Sequence, residues 1–194
     1  MKIRRALARA FLRLAGWSLK GELPAARAYV LIAAPHTTNW DLLYFLACAW
    51  AFGISPSWMG KHTLFRGPMG PIMRALGGIS VERARAGGLV GQMAQAFERD
   101  PDLVLTVPPE ATRARAAHWK SGFYQIARAA RVPIAMGFLD YERRCGGIGL
   151  ALIPSDDLCF DMDVIRAFYA DIRGKYPECF GDVRLIEEEA ADAA

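Results

Sequence analysis

The sequence is poor in the features that mark several common classes. It has four cysteines, Cys48, Cys145, Cys159 and Cys179, and no pair of them is spaced as CxxC. Such scattered thiols fit a reducing compartment and argue against a disulfide framework or a cysteine zinc site. It has three histidines, and neither His62 nor His118 has ligand spacing around it, so no metal is expected. No stretch approaches the run of about 18 apolar residues that a membrane-spanning helix needs. The longest, LLYFLACAWAFGI at 42–54, better fits a buried helix. The opening MKIRRALARAFLRLAGW sets arginines where a signal peptide needs an unbroken apolar run. There is no repeat, linker or DNA- or RNA-binding motif, so nucleic acid is not an expected partner.

What is present is a chain of 194 residues, 53% apolar and 23% charged, which is enough for one folded domain with a full core. Mean hydropathy is +0.13, high enough to suggest an apolar surface that meets something. The net charge of +4 is unevenly placed. Residues 1–20 carry Lys2, Arg4, Arg5, Arg9, Arg13 and Lys20 and no acid. Ile3, Leu7, Ala10, Phe11 and Leu14 recur there at helical spacing, and Arg5, Arg9 and Arg13 line another side. Two readings stand: a helix lying in an anionic membrane surface, or a domain helix with its arginines in water. The end of the chain, EEEAADAA, is acidic and small and is expected to fray. The expected layout is a basic interfacial helix over 1–20, a domain over 21–186 and a disordered acidic tail over 187–194.

Between these ends, short apolar runs alternate with helical patterns. AYVLIAAP, PSWMGK, GISVER, DLVLTVP, VPIAMGFLD and GIGLALIP read as strands. Helices are predicted over 39–52, 70–76, 88–99, the stretch FYQIARAA and 161–175, the last capped by Asp161 or Asp163. This alternation predicts an α/β fold: a mixed, largely parallel sheet flanked by helices. Loops after strand C-termini gather at one sheet edge, where ligands bind. His36, Arg83 and the Glu110 loop are expected on that edge.

Three stretches can carry chemistry. In HTTNWD, His36 follows a strand and Asp41 falls in the first turn of the next helix. The carboxylate can reach one imidazole nitrogen, fix its tautomer and leave the other nitrogen as a base. The alternative is that Thr38, Asn39 and Asp41 only cap the helix. In PPEATRARAAHWKSG, Glu110, Arg113, Arg115 and Lys120 crowd a loop after a strand, and arginine forks suit phosphate oxygens. The block from Lys61 to Arg83 adds Arg66 and the Gly77-Gly78 pair, which permits close backbone approach.

Taken in order, HTTNWD, LFRGPMGPIMRALGGISVER, PEATR and VPI resemble the four blocks of the PlsC-type glycerol-phosphate and lysophospholipid acyltransferases, over about residues 25–140. The resemblance implies acyl transfer from acyl-CoA or acyl carrier protein to a lysolipid hydroxyl, with no bound cofactor. It implies His36 as base and Asp41 as its partner. It assigns Glu110 and Arg113 to the acceptor-phosphate site, with Arg83, Lys61 and Lys120 as further candidates. The alcohol would attack the thioester directly, with no acyl-enzyme, which suits the lack of a serine or cysteine nucleophile beside His36. LLYFLACAWAF with Trp58 and Met59 would line the acyl tunnel. The protein would be cytoplasmic, on the inner face of the cytoplasmic membrane. Two departures are clear: Ala111 stands where the family has glycine, and Pro108 where it has an aromatic. A turn requiring positive φ would strain at alanine. Two other functions stay open: acylation of a non-phosphate lysolipid such as an amino-acid lipid, and a non-catalytic lipid-binding module.

Overall fold

Tyr29–Ala34, six aliphatic and aromatic residues, lie at the centre of a seven-stranded sheet. The computed structural model describes residues 2–82 and 88–192. In chain order the elements begin with α1 (Lys2–Leu14), β1 (Ser18–Gly21), β2 (Tyr29–Ala34), α2 (Trp40–Phe52) and β3 (Ser57–Lys61). Then come α3 (Met69–Ala75), β4 (Gly78–Val81), α4 (Gly88–Arg99), β5 (Val104–Val107) and α5 (Gly122–Ala130). β6 (Ile134–Asp140), β7 (Cys145–Leu152), α6 (Leu158–Tyr169) and α7 (Ile186–Asp192) complete the order. The strands lie in the order β1-β7-β6-β2-β5-β3-β4. Every neighbouring pair is parallel except β6 with β7. This is the largely parallel α/β sheet that the sequence predicts.

A parallel sheet must be covered on both faces, and β2 shows how. Val30, Ile32 and Ala34 pack with Phe123 and Ile126 of α5 and Met162 and Ile165 of α6. Tyr29 and Leu31 face the other way, towards Phe45 of α2. α1 lies on α2, burying Ala8 and Leu12 against Ala47, Cys48 and Ala51. Each fully buried aliphatic side chain contributes about 1.5–3 kcal/mol. The parallel register carries the ends of β2, β5 and β6 to one edge, and the chain segments after them form the site.

Four local expectations are corrected. The boundary after residue 20 falls inside β1, which pairs with β7. SLKG has too few β-formers to read as a strand, and the pairing supplies what propensity lacks. The last long helix starts earlier, at Leu158, and its cap is Asp157, whose Oδ1 accepts from the Phe160 N–H at 3.0 Å. Asp161 is buried instead and accepts from the Tyr124 hydroxyl at 2.8 Å. Within the acidic end, residues 186–192 form α7 rather than a disordered tail, and residues 193–194 lie outside the described residues. Glu188 is buried, accepts from the Leu185 N–H at 2.5 Å and pairs with Arg166. An acid in the first turn answers both the helix's free N–H groups and a half-buried arginine.

Candidate active site

β2 ends at Ala34, and the loop that follows turns the chain into α2. Asp41 organises this loop. Its Oδ2 accepts from the N–H groups of Thr37 at 2.8 Å and Thr38 at 2.9 Å. Its Oδ1 accepts from the Tyr141 hydroxyl at 2.8 Å. The same Oδ2 lies 3.3 Å from His36 Nδ1. That contact is longer than the roughly 2.7–3.2 Å of a formed hydrogen bond, a slack common in catalytic pairs before substrate binds. Asp41 is almost wholly buried, whereas the His36 side chain is 29% exposed. Nδ1 faces the acid, so Nε2 is the nitrogen left for a substrate. Asn39, at the N-cap position, makes no side-chain cap; its Oδ1 accepts from Arg113 instead. The capping and pairing readings of HTTNWD fall on different side chains: Asp41 holds the loop ahead of the helix and faces His36, while Thr38 Oγ1 accepts from the Trp40 N–H at 3.4 Å.

Glu110 braces the loop from the other side. Its Oε1 accepts from the His36 N–H at 2.9 Å. The residue is 2% exposed, and Oε2 is buried with no hydrogen-bond partner. This carboxyl, assigned by resemblance to the acceptor-phosphate site, lies inside the protein beneath the His36 backbone. Burial pushes it up to about 7 from its ordinary 4.5, with Asp41 adding to the rise and the His36 N–H and ring opposing it. The folded chain then keeps a proton that the unfolded chain releases. Stability is lost as pH rises from about 4.5 to about 7, by about 3 kcal/mol in all. Glu110→Gln keeps an acceptor for His36 but cannot ionise. Urea melts from pH 4.5 to 8 are expected to lose that slope, leaving the variant the more stable at pH 8.

Glu110 is held by a turn in which the Ala111 N–H donates to Pro108 O at 3.2 Å. Ala111 sits at φ +56°, the strained setting expected where glycine is usual. A left-handed residue with a Cβ costs about 1–2 kcal/mol, and glycine returns part of that as unfolded-state entropy. Ala111→Gly should therefore raise the urea-melt stability by about 0.5–1 kcal/mol.

On the α2 face of the sheet, a cavity of about 600 Å³ reaches His36. Of the expected tunnel residues, Leu42, Phe45 and Leu46 line it with Trp58 and Met59, whereas the rest of the stretch 42–52 does not. His36, Asn39, Asp41 and Arg113 form its polar cluster. Leu76 and Met73 close it from the α3 side, where Trp58 Nε1 donates to Leu76 O at 2.9 Å. The Gly77 backbone is at φ +82°, and a Cβ there would lie 2.3 Å from Pro56 O, so the glycine pair serves β3–β4 closure. Lys120 is exposed and does not border the cavity. Lys61 ends β3, and its side chain lies outside the described residues, as does all of Arg83. Among the described residues, no group of three histidines, cysteines, aspartates or glutamates is placed to hold a metal.

The sequence model of the family described as Acyltransferase matches residues 19–136, more than half of the chain. The chain belongs to the acyltransferase family. Its fold resembles the crystal structure of the 1-acyl-sn-glycerophosphate (LPA) acyltransferase PlsC from Thermotoga maritima. That similarity has a TM-score of 0.59 and 16% identity, over 82% of this chain and 71% of that one. No curated protein matches the chain in sequence. For this acyltransferase, the site residue that motif reading missed is Tyr141, which lies beyond the matched segment. One sequence signal pointed to it. It directly follows β6, and β6 runs parallel to β2, so its end meets the end that carries His36.

Proposed function

We propose that this acyltransferase moves a fatty acyl group from a thioester, acyl-CoA or acyl carrier protein, to the hydroxyl of a 1-acylglycerol-3-phosphate-like lysolipid. The observation that carries the reading is the His36–Asp41 contact opening onto an apolar cavity. In this mechanism His36 Nε2 takes the proton from the acceptor hydroxyl as the oxygen attacks the thioester carbonyl. The tetrahedral intermediate expels the thiolate, and the imidazolium returns the proton to sulfur. No acyl-enzyme forms. Buried Asp41 stabilises the imidazolium between the two transfers. Arg113, held by Asn39, lines the cavity and is the cation proposed for the acceptor phosphate. Glu110 sets the position of the His36 backbone.

Peripheral attachment to an anionic membrane belongs to the same proposal. Among the described residues no helix is long and apolar enough to cross a membrane. α1 buries Ala8 and Leu12 but leaves Ile3, Leu7 and Leu14 at 78, 66 and 90% exposure. A domain helix would bury that stripe; an interfacial helix needs it outside.

The test is thiol release by the purified protein from acyl-CoA and from acyl carrier protein. 1-Acylglycerol-3-phosphate and an amino-acid lysolipid serve as acceptors. Release stimulated by the phosphate acceptor supports the proposal. Stimulation by the amino-acid lysolipid alone moves the acceptor to the second class, which the substitutions at Pro108 and Ala111 favour. No release with either donor, alongside vesicle binding, would leave only a lipid-binding module.

A further inference from the structure

A second pocket, of about 380 Å³, is lined by Trp17, Trp40, Tyr44, Tyr141, Arg144 and Lys175. It shares no lining residue with the acyl cavity. We infer that it binds the phosphate-bearing nucleotide end of a CoA thioester, an inference that rests on the acyl-transfer reading above.

The lining has two chemical parts. The first is aromatic. Trp17 stacks on Tyr44 with centroids 4.2 Å apart, and Tyr141 meets Trp17 edge-on at 5.0 Å. Trp40 is 55% exposed. The second part is cationic. Lys175 Nζ stands 5.3 Å from the centroid of the Trp40 ring. Among the described residues, neither Lys175 nor Arg144 has a carboxylate partner, whereas the neighbouring Arg143 is paired with Asp140 at 2.7 Å. Arg144 is also held at φ +47°, a left-handed setting that glycine or asparagine would take without strain. Two unpaired cations beside flat aromatic faces suit a ligand with phosphates and a planar base. A lipid headgroup offers the phosphate without the base.

Position supports the same ligand. The Tyr141 ring walls the pocket while its hydroxyl bonds Asp41, which lines the cavity. Trp40 belongs to the pocket, while Asn39 and Leu42, on either side of it and Asp41, belong to the cavity. Pocket and cavity thus adjoin across the first turn of α2. A CoA thioester can lay its nucleotide in one and its acyl chain in the other, with the thioester at His36. Arg113 stays free for the acceptor. Gly174 lets the loop bearing Lys175 close on His36's own loop, since a Cβ there would come within 3.0 Å of Thr37.

The experiment pairs binding with kinetics. Adenosine 3′,5′-diphosphate is titrated against the full chain, following tryptophan fluorescence. The variants are Arg144→Gln and Lys175→Gln, both at exposed positions, with Arg115→Gln as a control. Saturable binding is expected in the wild type and control, weakened about tenfold or more in each variant. In turnover, KM for acyl-CoA should rise by a similar factor in both variants. KM for the same acyl group on pantetheine, which lacks the nucleotide, should not move. Equal KM shifts with both thioesters would overturn the pocket, as would wild-type nucleotide binding in the variants. So would loss of anionic-vesicle binding in place of nucleotide binding, which would make the patch a membrane contact. If the wild type turns over neither thioester, the acyl-transfer reading fails. Turnover of both with no response to Arg144 or Lys175 sinks only the pocket.

Discussion

Replacing His36 with alanine is expected to lower kcat for thiol release by about 10²–10⁴-fold, the range in which a positioned general base operates. The fold should hardly notice. The imidazole is 29% exposed and pairs with Asp41. The bonds that shape the loop belong elsewhere: the His36 N–H to Glu110, and the Thr37 and Thr38 N–H groups to Asp41. All three survive the substitution. The stability change should stay within about 1 kcal/mol, as for substitutions that open no sealed cavity and strand no buried group. The informative result is this split between a large kinetic loss and a small shift in the urea midpoint. Wild-type turnover by His36→Ala would remove His36 as the base. Unfolding in step with inactivation would make it a structural residue.

The sheet was legible because its strands are short, apolar and separated by helical patterns. The edge rule then collected residues that lie far apart in sequence. His36 and Glu110 meet because β2 and β5 are parallel neighbours with their ends in register. What the pattern could not give was which way a carboxylate points. Glu110 sits among basic residues in the sequence and reads as a surface partner for arginine. In the fold it turns inward, beneath the His36 backbone, where burial alters its proton affinity. Tyr141 was missed for a different reason: no local motif contains it, and its place just after β6 becomes telling only once the β6 register brings its hydroxyl to Asp41. β1 and α7 share that origin. Each is a short polar segment made regular by one partner, β7 for the strand and Arg166 for the helix.

Asp41→Asn separates the two tasks that the opening loop gives to one side chain. The amide has nearly the same shape, and its oxygen can still accept from Thr37 and Thr38. Its nitrogen then faces Tyr141, whose hydroxyl can rotate to accept instead of donate. The loop should keep its course, with a loss of about 1–3 kcal/mol because charged acceptors have become neutral. The negative charge beside His36 is gone, however, so the imidazolium formed during attack is no longer stabilised. A loss in kcat of about 10²–10⁴-fold is expected, in line with removal of the orienting acid from other histidine-based sites. Tyr141→Phe removes one hydrogen bond and no charge, and should cost about tenfold or less. The ordering of the three variants is what discriminates. If Asp41 only held the loop, Asp41→Asn would lose stability and keep its turnover. If it orients and charges His36, turnover falls far beyond what the stability loss accounts for, with Tyr141→Phe between the variant and the wild type.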